Sequence, residues 1–183
     1  MQGLENVGPT PVVKFGVEVP AHGIAVCVYG GEDAAIGKAI YEKKDAGCDT
    51  GGNTLVYHAS ADYGNAEYHY RIVRPGPVNF RVRVRLGGSE PVPPSVREGI
   101  IKAVHDDFHG LSPVSGNSRV GLASTVYASR FYMSVMAVEG VKNLHAIEVA
   151  LGDGALNYAD LVAVNGDQEP VLARENISIE NGG

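Results

Sequence analysis

Val78-Asn79-Phe80-Arg81-Val82-Arg83-Val84-Arg85-Leu86 is the stretch from which the rest of the chain can be read. Val78, Phe80, Val82, Val84 and Leu86 alternate strictly with Asn79, Arg81, Arg83 and Arg85, the period of two that sends successive side chains to opposite faces of a strand. One face is core and the other is strongly basic. Downstream, Gly87 to Pro94 is a Gly/Pro-rich loop. Ser95 and Glu98 then have the spacing of a capping box for a helix through Phe108. Val96, Ile100, Val104 and Phe108 form its expected buried stripe.

Upstream, Asn53 to Ser60 and Glu67 to Arg74 are rich in Tyr, Val and Thr, and the intervening Ala61 to Asn65 holds the glycine a turn needs. They predict a hairpin. Ile24 to Tyr29 is a continuous apolar run between glycines, the mark of a central strand covered on both faces. Glu32 to Lys44 predicts a helix, with Ala35, Ile36, Ala39 and Ile40 on one side, acids at its start and lysines at its end. Val12 to Val19 reads as one strand through Val13, Phe15, Val17 and Val19.

Beyond the loop Gly110 to Ser118, the sequence predicts a helix from about Leu122 to Val138, stopped by Gly140. A strand over Leu144 to Leu151 follows, with Ile147, Val149 and Leu151 inward, then short strands at Leu161 to Val164 and Ile177 to Ile179. The order argues for an α+β fold: two small strand-helix sandwiches, with mixed or antiparallel sheets and helices packed on one face. An N-terminal unit over 1–75 and a C-terminal unit over 76–183 with a strand-rich tail would meet near Pro75 to Pro77.

At 183 residues, 44% hydrophobic and 20% charged, the chain has the composition of an ordinary globular protein. Its net charge of −6 gives no general attraction to nucleic acid or anionic lipid, and neither is expected as a partner. Met1 to Pro11 lacks the basic and apolar regions of a secretory signal, and no apolar run approaches the roughly 20 residues that span a bilayer. Cys27 lies in the apolar run and Cys48 stands alone, which predicts a buried inert thiol, no disulfide framework and a reducing, cytoplasmic setting.

Candidate chemistry is sparse. The turn from Gly30-Gly31 to Gly37 follows a strand and opens a helix, but it lacks the phosphate-loop spellings and carries Glu32 and Asp33 where a phosphate would sit. A tight strand-to-helix turn is the reading it supports. His105 and His109 have the i, i+4 spacing of zinc-binding helices, with Asp106 where such sites carry Glu and no third ligand to name. A small metal-dependent hydrolase built on His105, Asp106 and His109 is the alternative enzyme reading. His22, His58, His69 and His145 are dispersed, and no Ser or Cys has a nucleophile context. Asp153-Gly154 with Asn157 and Asp160 departs from calcium-loop spacing and reads as solvated turns. No catalytic residue, metal ligand or cofactor is therefore assigned. The Arg81, Arg83 and Arg85 face predicts pairing with acids on a neighbouring strand or a protein contact, and a soluble adaptor for an acidic partner is a further alternative.

Five segments in order carry a resemblance. They are Val19-Pro20-Ala21-His22-Gly23-Ile24-Ala25-Val26, Gly30-Gly31 through Ile40, Lys43 through Cys48, Val73-Arg74-Pro75 with Val78 to Val84, and Arg119-Val120-Gly121 with Tyr127 through Tyr132. Together they resemble the C-terminal half of the baseplate J-like proteins, wedge components of contractile phage tails and of related prophage and injection machines. Members of that family are usually longer, with a further N-terminal region. The resemblance implies a non-enzymatic assembly protein without substrate or cofactor, which packs against itself and against other wedge subunits. Its place would be the virion tail baseplate, reached through the host bacterial cytoplasm. Arg81, Arg83, Arg85, Tyr127, Arg130 and Tyr132, together with the tail over Leu161 to Ile179, are the expected subunit contacts.

Overall fold

The structure is a computed structural model that describes residues 2–45, 47–153 and 157–182. The fold is mixed α+β, with three α-helices and thirteen strands among the described residues, the strands gathered in several small sheets. Two compact units divide the chain, Met1–Gly76 with Asn165–Glu169, and Pro77–Val164 with Pro170–Gly183. The sequence reading assigned all of 76–183 to one unit. Asn165–Glu169 instead belongs with the first, because Gly166 N–H donates to the Phe15 carbonyl and Gly76 N–H donates to the Asp167 carbonyl.

The first unit contains β1 (Gln2–Asn6), β2 (Val12–Lys14), β3 (Val17–Val19), β4 (Gly23–Cys27), α1 (Asp33–Lys43), β5 (Asp49–Gly51), β6 (Thr54–Ser60) and β7 (Ala66–Ile72). As its apolar run predicts, β4 is central, antiparallel to β1 and parallel to β5. The β6–β7 hairpin is joined to β4 where Val28 N–H donates to the Val73 carbonyl and Val73 N–H to the Val26 carbonyl. Ile36 and Ile40 of α1 pack with Val26, Val28, Val56, Tyr70 and Ile72. Ala35, placed in the stripe by the sequence reading, is exposed. Buried Gly37 takes its place, because the helix passes so close to β6 that a Cβ there would stand 2.3 Å from the Tyr57 carbonyl oxygen.

Val12 to Val19 is two strands and not one. Phe15 and Gly16, at φ +46° and +70°, make the left-handed pair of a two-residue hairpin turn. The chain doubles back, so Val17 and Val19 face the core while Val13, paired with Glu18, faces solvent.

The second unit is organised on β8 (Gly76–Gly87), followed by α2 (Pro94–Phe108), β9 (Ser124–Tyr127), α3 (Tyr132–Met136), β10 (Leu144–Leu151), β11 (Leu161–Val164), the 170–171 end of β12 (Gln168–Val171), whose first two residues belong with the first unit, and β13 (Ile177–Gly182). The sheet order is β10-β8-β12, with β13 also paired to β8. β10 runs antiparallel to β8 with Val149 opposite Val82, and β13 runs parallel with Ile177 opposite Val82. Phe80, Val82 and Val84 are fully buried beneath Ile100, Val104 and Phe108 of α2, as the two alternating patterns require. The capping box does not form. The helix begins at Pro94, whose fixed φ and missing N–H suit the first helical position, and Glu98 accepts a hydrogen bond from Arg174 at 2.7 Å.

The helix expected over Leu122 to Val138 is replaced by three short elements. Ala123 breaks the chain at φ +46°, and Ser124-Thr125-Val126-Tyr127 pairs antiparallel with β11, as its β-branched and aromatic residues favour. A 3₁₀ turn over Ala128–Phe131 then leads into the five-residue α3.

Substituting Gly37→Ala should lower stability by about 2 kcal/mol, since the backbone clash outweighs the helix-propensity gain of about 1 kcal/mol. Urea unfolding measures it, and a stabilised variant would show that α1 stands clear of β6. Cys27 is fully buried, and burial followed by the nearby Asp167 carboxylate pushes its thiol up to about 11. A thiol reagent at pH 8 should therefore titrate one cysteine in the native protein, Cys48, and two in denaturant.

Candidate functional site

Sequence reasoning points to the outer face of β8 first. Its arginines remain outward but each has an acid beside it. Arg83 Nε lies 2.9 Å from Glu148 and Arg85 3.3 Å from the same carboxylate, while Glu180 is 3.8 Å from Arg85. Arg81 meets Asp153 at 2.9 Å, and Asn79 with Arg81 holds that carboxyl below the usual range. Tyr158 stacks on Arg83 with 4.0 Å from guanidinium carbon to ring centroid. The registers explain the ladder, since Glu148 lies opposite Arg83 on β10 and Glu180 opposite Arg85 on β13. Intramolecular pairing thus accounts for the three arginines. Gly154 of the acidic turn lies outside the described residues; Asp153 serves as a partner of this ladder.

Arg130 is directed inward. Its guanidinium lies 3.1 Å from the carboxylate of Asp107 and also donates to the carbonyls of Asp107 and Ser118, at 2.9 and 2.8 Å. Asp107 is fully buried and accepts further hydrogen bonds from Asn117 at 3.1 Å and from Ser134 at 2.5 Å. Ser112 in turn lies 2.9 Å from Ser134. The cluster ties the end of α2, the loop before β9, the 3₁₀ turn and α3 into one piece. Sequence reasoning missed Asp107, although a signal was present. It falls three residues after Val104, on the stripe side of the helix, where a carboxylate must find partners.

His105 and His109 stack with ring centroids 4.5 Å apart. Burial, then His105 and Arg119, push His109 below the ordinary histidine range. Asp106 is engaged by Lys102 at 2.5 Å. Among the described residues no group of three or more His, Cys, Asp or Glu side chains is placed to hold a metal ion. At the Gly30-Gly31 turn, Arg74 donates to both glycine carbonyls and pairs with Asp33. Both glycines have positive φ, and the turn offers its carbonyls inward to a guanidinium.

Several large apolar side chains also face outward. Tyr127 and Leu161 are direct cross-strand partners on β9 and β11, 55% and 46% exposed. Met133 and Met136 on α3 are exposed, and the Ser112–Ser134 bond brings the loop carrying exposed Leu111 and Val114 beside that helix. Tyr132 is half-exposed, its hydroxyl accepting from Ile147 N–H at 3.3 Å. Tyrosine and methionine are the side chains enriched at protein contacts, and methionine adapts to irregular partners. Leu161 opens the tail expected to make subunit contacts, and Met133 and Met136 lie within the expected 122–138 helix, whereas Leu111, in the preceding loop, was not singled out. No helix among the described residues is long and apolar enough to cross a membrane.

Comparison with protein-family models finds none that matches the chain, and comparison with curated proteins finds none that matches it either.

Removing the Asp107 carboxylate leaves Arg130 partly buried without its counter-charge, which typically costs about 3 to 5 kcal/mol. Asp107→Ala should therefore unfold the second unit at markedly lower denaturant. Equilibrium denaturation checks it, and a change under ~0.5 kcal/mol, the size of an ordinary surface substitution, would remove the cluster from the list of structural ties.

Proposed function

We propose that the chain is a structural component of a contractile-tail baseplate wedge, of the baseplate J-like kind, acting through protein–protein assembly and not through catalysis. The observation that carries this reading is the way the resembling segments depend on one another. Arg74 of Val73-Arg74-Pro75 holds the carbonyls of Gly30-Gly31, and Val73 pairs with Val26 and Val28, so segments far apart in sequence build one frame. Such mutual dependence is what a family pattern preserved in order should encode. The exposed Tyr127, Leu161, Met133 and Met136 supply the second support, an outward surface of contact-forming side chains.

The partners in this reading are other wedge subunits and further copies of the chain, and the setting is the tail baseplate, assembled in the host bacterial cytoplasm. The contact residues are Tyr127 and Tyr132 together with Leu161, Met133 and Met136. The β8 arginines act from within the subunit, by keeping the sheet's outer face charged and ordered.

Deleting the gene from a host that makes contractile tails should abolish complete baseplates in electron micrographs, and intact contractile tails in the deletion would overturn the proposal. In the complemented strain, Tyr127→Ser with Leu161→Asp should reduce assembled baseplates at least about tenfold while leaving the thermal midpoint within ~3 °C, since both side chains are exposed. Normal assembly by that variant would clear the β9–β11 face of a contact role.

A further inference from the structure

The β6–β7 hairpin buries one face and leaves the other open. Val56, Tyr70 and Ile72 turn toward α1, with His58 and Tyr68 half-buried beside them. The opposite face carries two columns, Leu55-Tyr57-Ala59 on β6 and Arg71-His69-Glu67 on β7, all six residues exposed. The register sets Leu55 beside Arg71, Tyr57 beside His69 and Ala59 beside Glu67. Leu55 and Tyr57 are 58% and 54% exposed on this face, and His69 lies 3.6 Å from Glu67 beside them.

The pattern is self-complementary. A two-fold axis lying across the strands at the Tyr57–His69 pair reverses the order of each column in a facing copy. Arg71 then meets Glu67 of the second copy, and Glu67 meets its Arg71. Leu55, the bulkiest aliphatic, lies over Ala59, the smallest, while Tyr57 faces its own counterpart at the axis. An axis along the strands gives none of these matches, because it sets Arg71 over Leu55 and Glu67 over Ala59. We infer that the outer face of the β6–β7 hairpin is an isologous contact between two copies of this chain, fixed by reciprocal Arg71–Glu67 pairs around a Tyr57 centre. Isologous contacts need this property, that one patch complements itself under rotation.

The area fixes the strength to expect. Seven residues at about 3.3 Å each and two strands about 4.8 Å apart give a footprint far below the roughly 800 Å² per partner of a stable complex. The contact is weak for free chains and becomes effective where other contacts hold copies close, as in any multivalent assembly. The inference rests on the hairpin alone and uses none of the surface assigned to wedge contacts, so it stands or falls separately from the baseplate reading.

Sedimentation equilibrium of the full chain at high concentration, read beside circular dichroism for fold, tests it. Wild type should show a monomer–dimer equilibrium. Arg71→Glu alone and Glu67→Arg alone should each weaken it about tenfold or more, and the double exchange should restore it. Tyr57→Cys in a Cys48→Ser background should cross-link to itself with a short bis-maleimide matched to a face-to-face sheet spacing of about 10 Å. Val13→Cys in the same background, on another exposed strand, should not. A strictly monomeric wild type, dimerisation indifferent to both reversals, a double exchange that fails to restore it, or equal cross-linking at both cysteine positions would overturn the inference.

Discussion

Asp107 stands on the inward side of α2, and its burial constrains everything that packs around the end of that helix. A carboxylate removed from water must be met by donors from several directions, and a single helix cannot supply them. Here they come from Arg130, Asn117 and Ser134, on three separate pieces of chain. The consequence runs back into the local structure between Leu111 and Met136. The loop must return so that Asn117 reaches the helix, and the chain must turn tightly over Ala128–Phe131 so that Arg130 points inward while Phe131 enters the core. A buried ion pair of this kind is weak evidence for net stability and stronger evidence for a unique arrangement, because any other packing leaves the charge unmet.

β8 imposes a second constraint of the same logic on the sheet. Its apolar column fixes the register of β10 and β13, since a slip by one residue would carry Ile147, Val149 and Ile177 out of the core. Its arginine column fixes the same register from the other side, because only that alignment sets Glu148 and Glu180 beside Arg83 and Arg85. The two faces agree, which is the condition for a strand with three cations in a row to sit centrally without repelling itself.

The elements legible in the sequence were those whose pattern answers to one face alone. β8, β10 and the stripe of α2 emerge with the expected residues inward or partly inward, and the β6–β7 hairpin forms where its two strand-like runs flank a turn, because in each the period and the burial coincide. The stretches that resisted reading are those in which the backbone changes direction at a residue with no turn signature. Phe15 and Ala123 both adopt positive φ without being Gly or Asn; at residues 12–19 only Gly16 signals the turn, inside an apolar alternation that reads straight through it. Strands β1 and β5 were passed over for another reason. Gln2–Asn6 and Asp49–Gly51 have little apolar content and are strands because β4 offers them backbone partners. Site legibility followed suit: the arginine column was visible, whereas the acids that answer it stand on β10 and β13 and depend on pairings no single stretch contains.

The same distinction separates what holds the molecule together from what it presents outward. Charged groups here are largely turned upon one another: Arg74 upon a turn, Arg130 upon a buried carboxylate, Arg81, Arg83 and Arg85 upon a ladder of acids. In the proposed assembly, contacts would then draw on the apolar side chains at β9–β11 with α3 and on the mixed apolar and charged outer face of β6–β7. The β6–β7 face is too small to hold a partner tightly alone. Many such faces engaged together give a cooperative structure that forms only when all neighbours are in place, because each contact raises the effective concentration for the next.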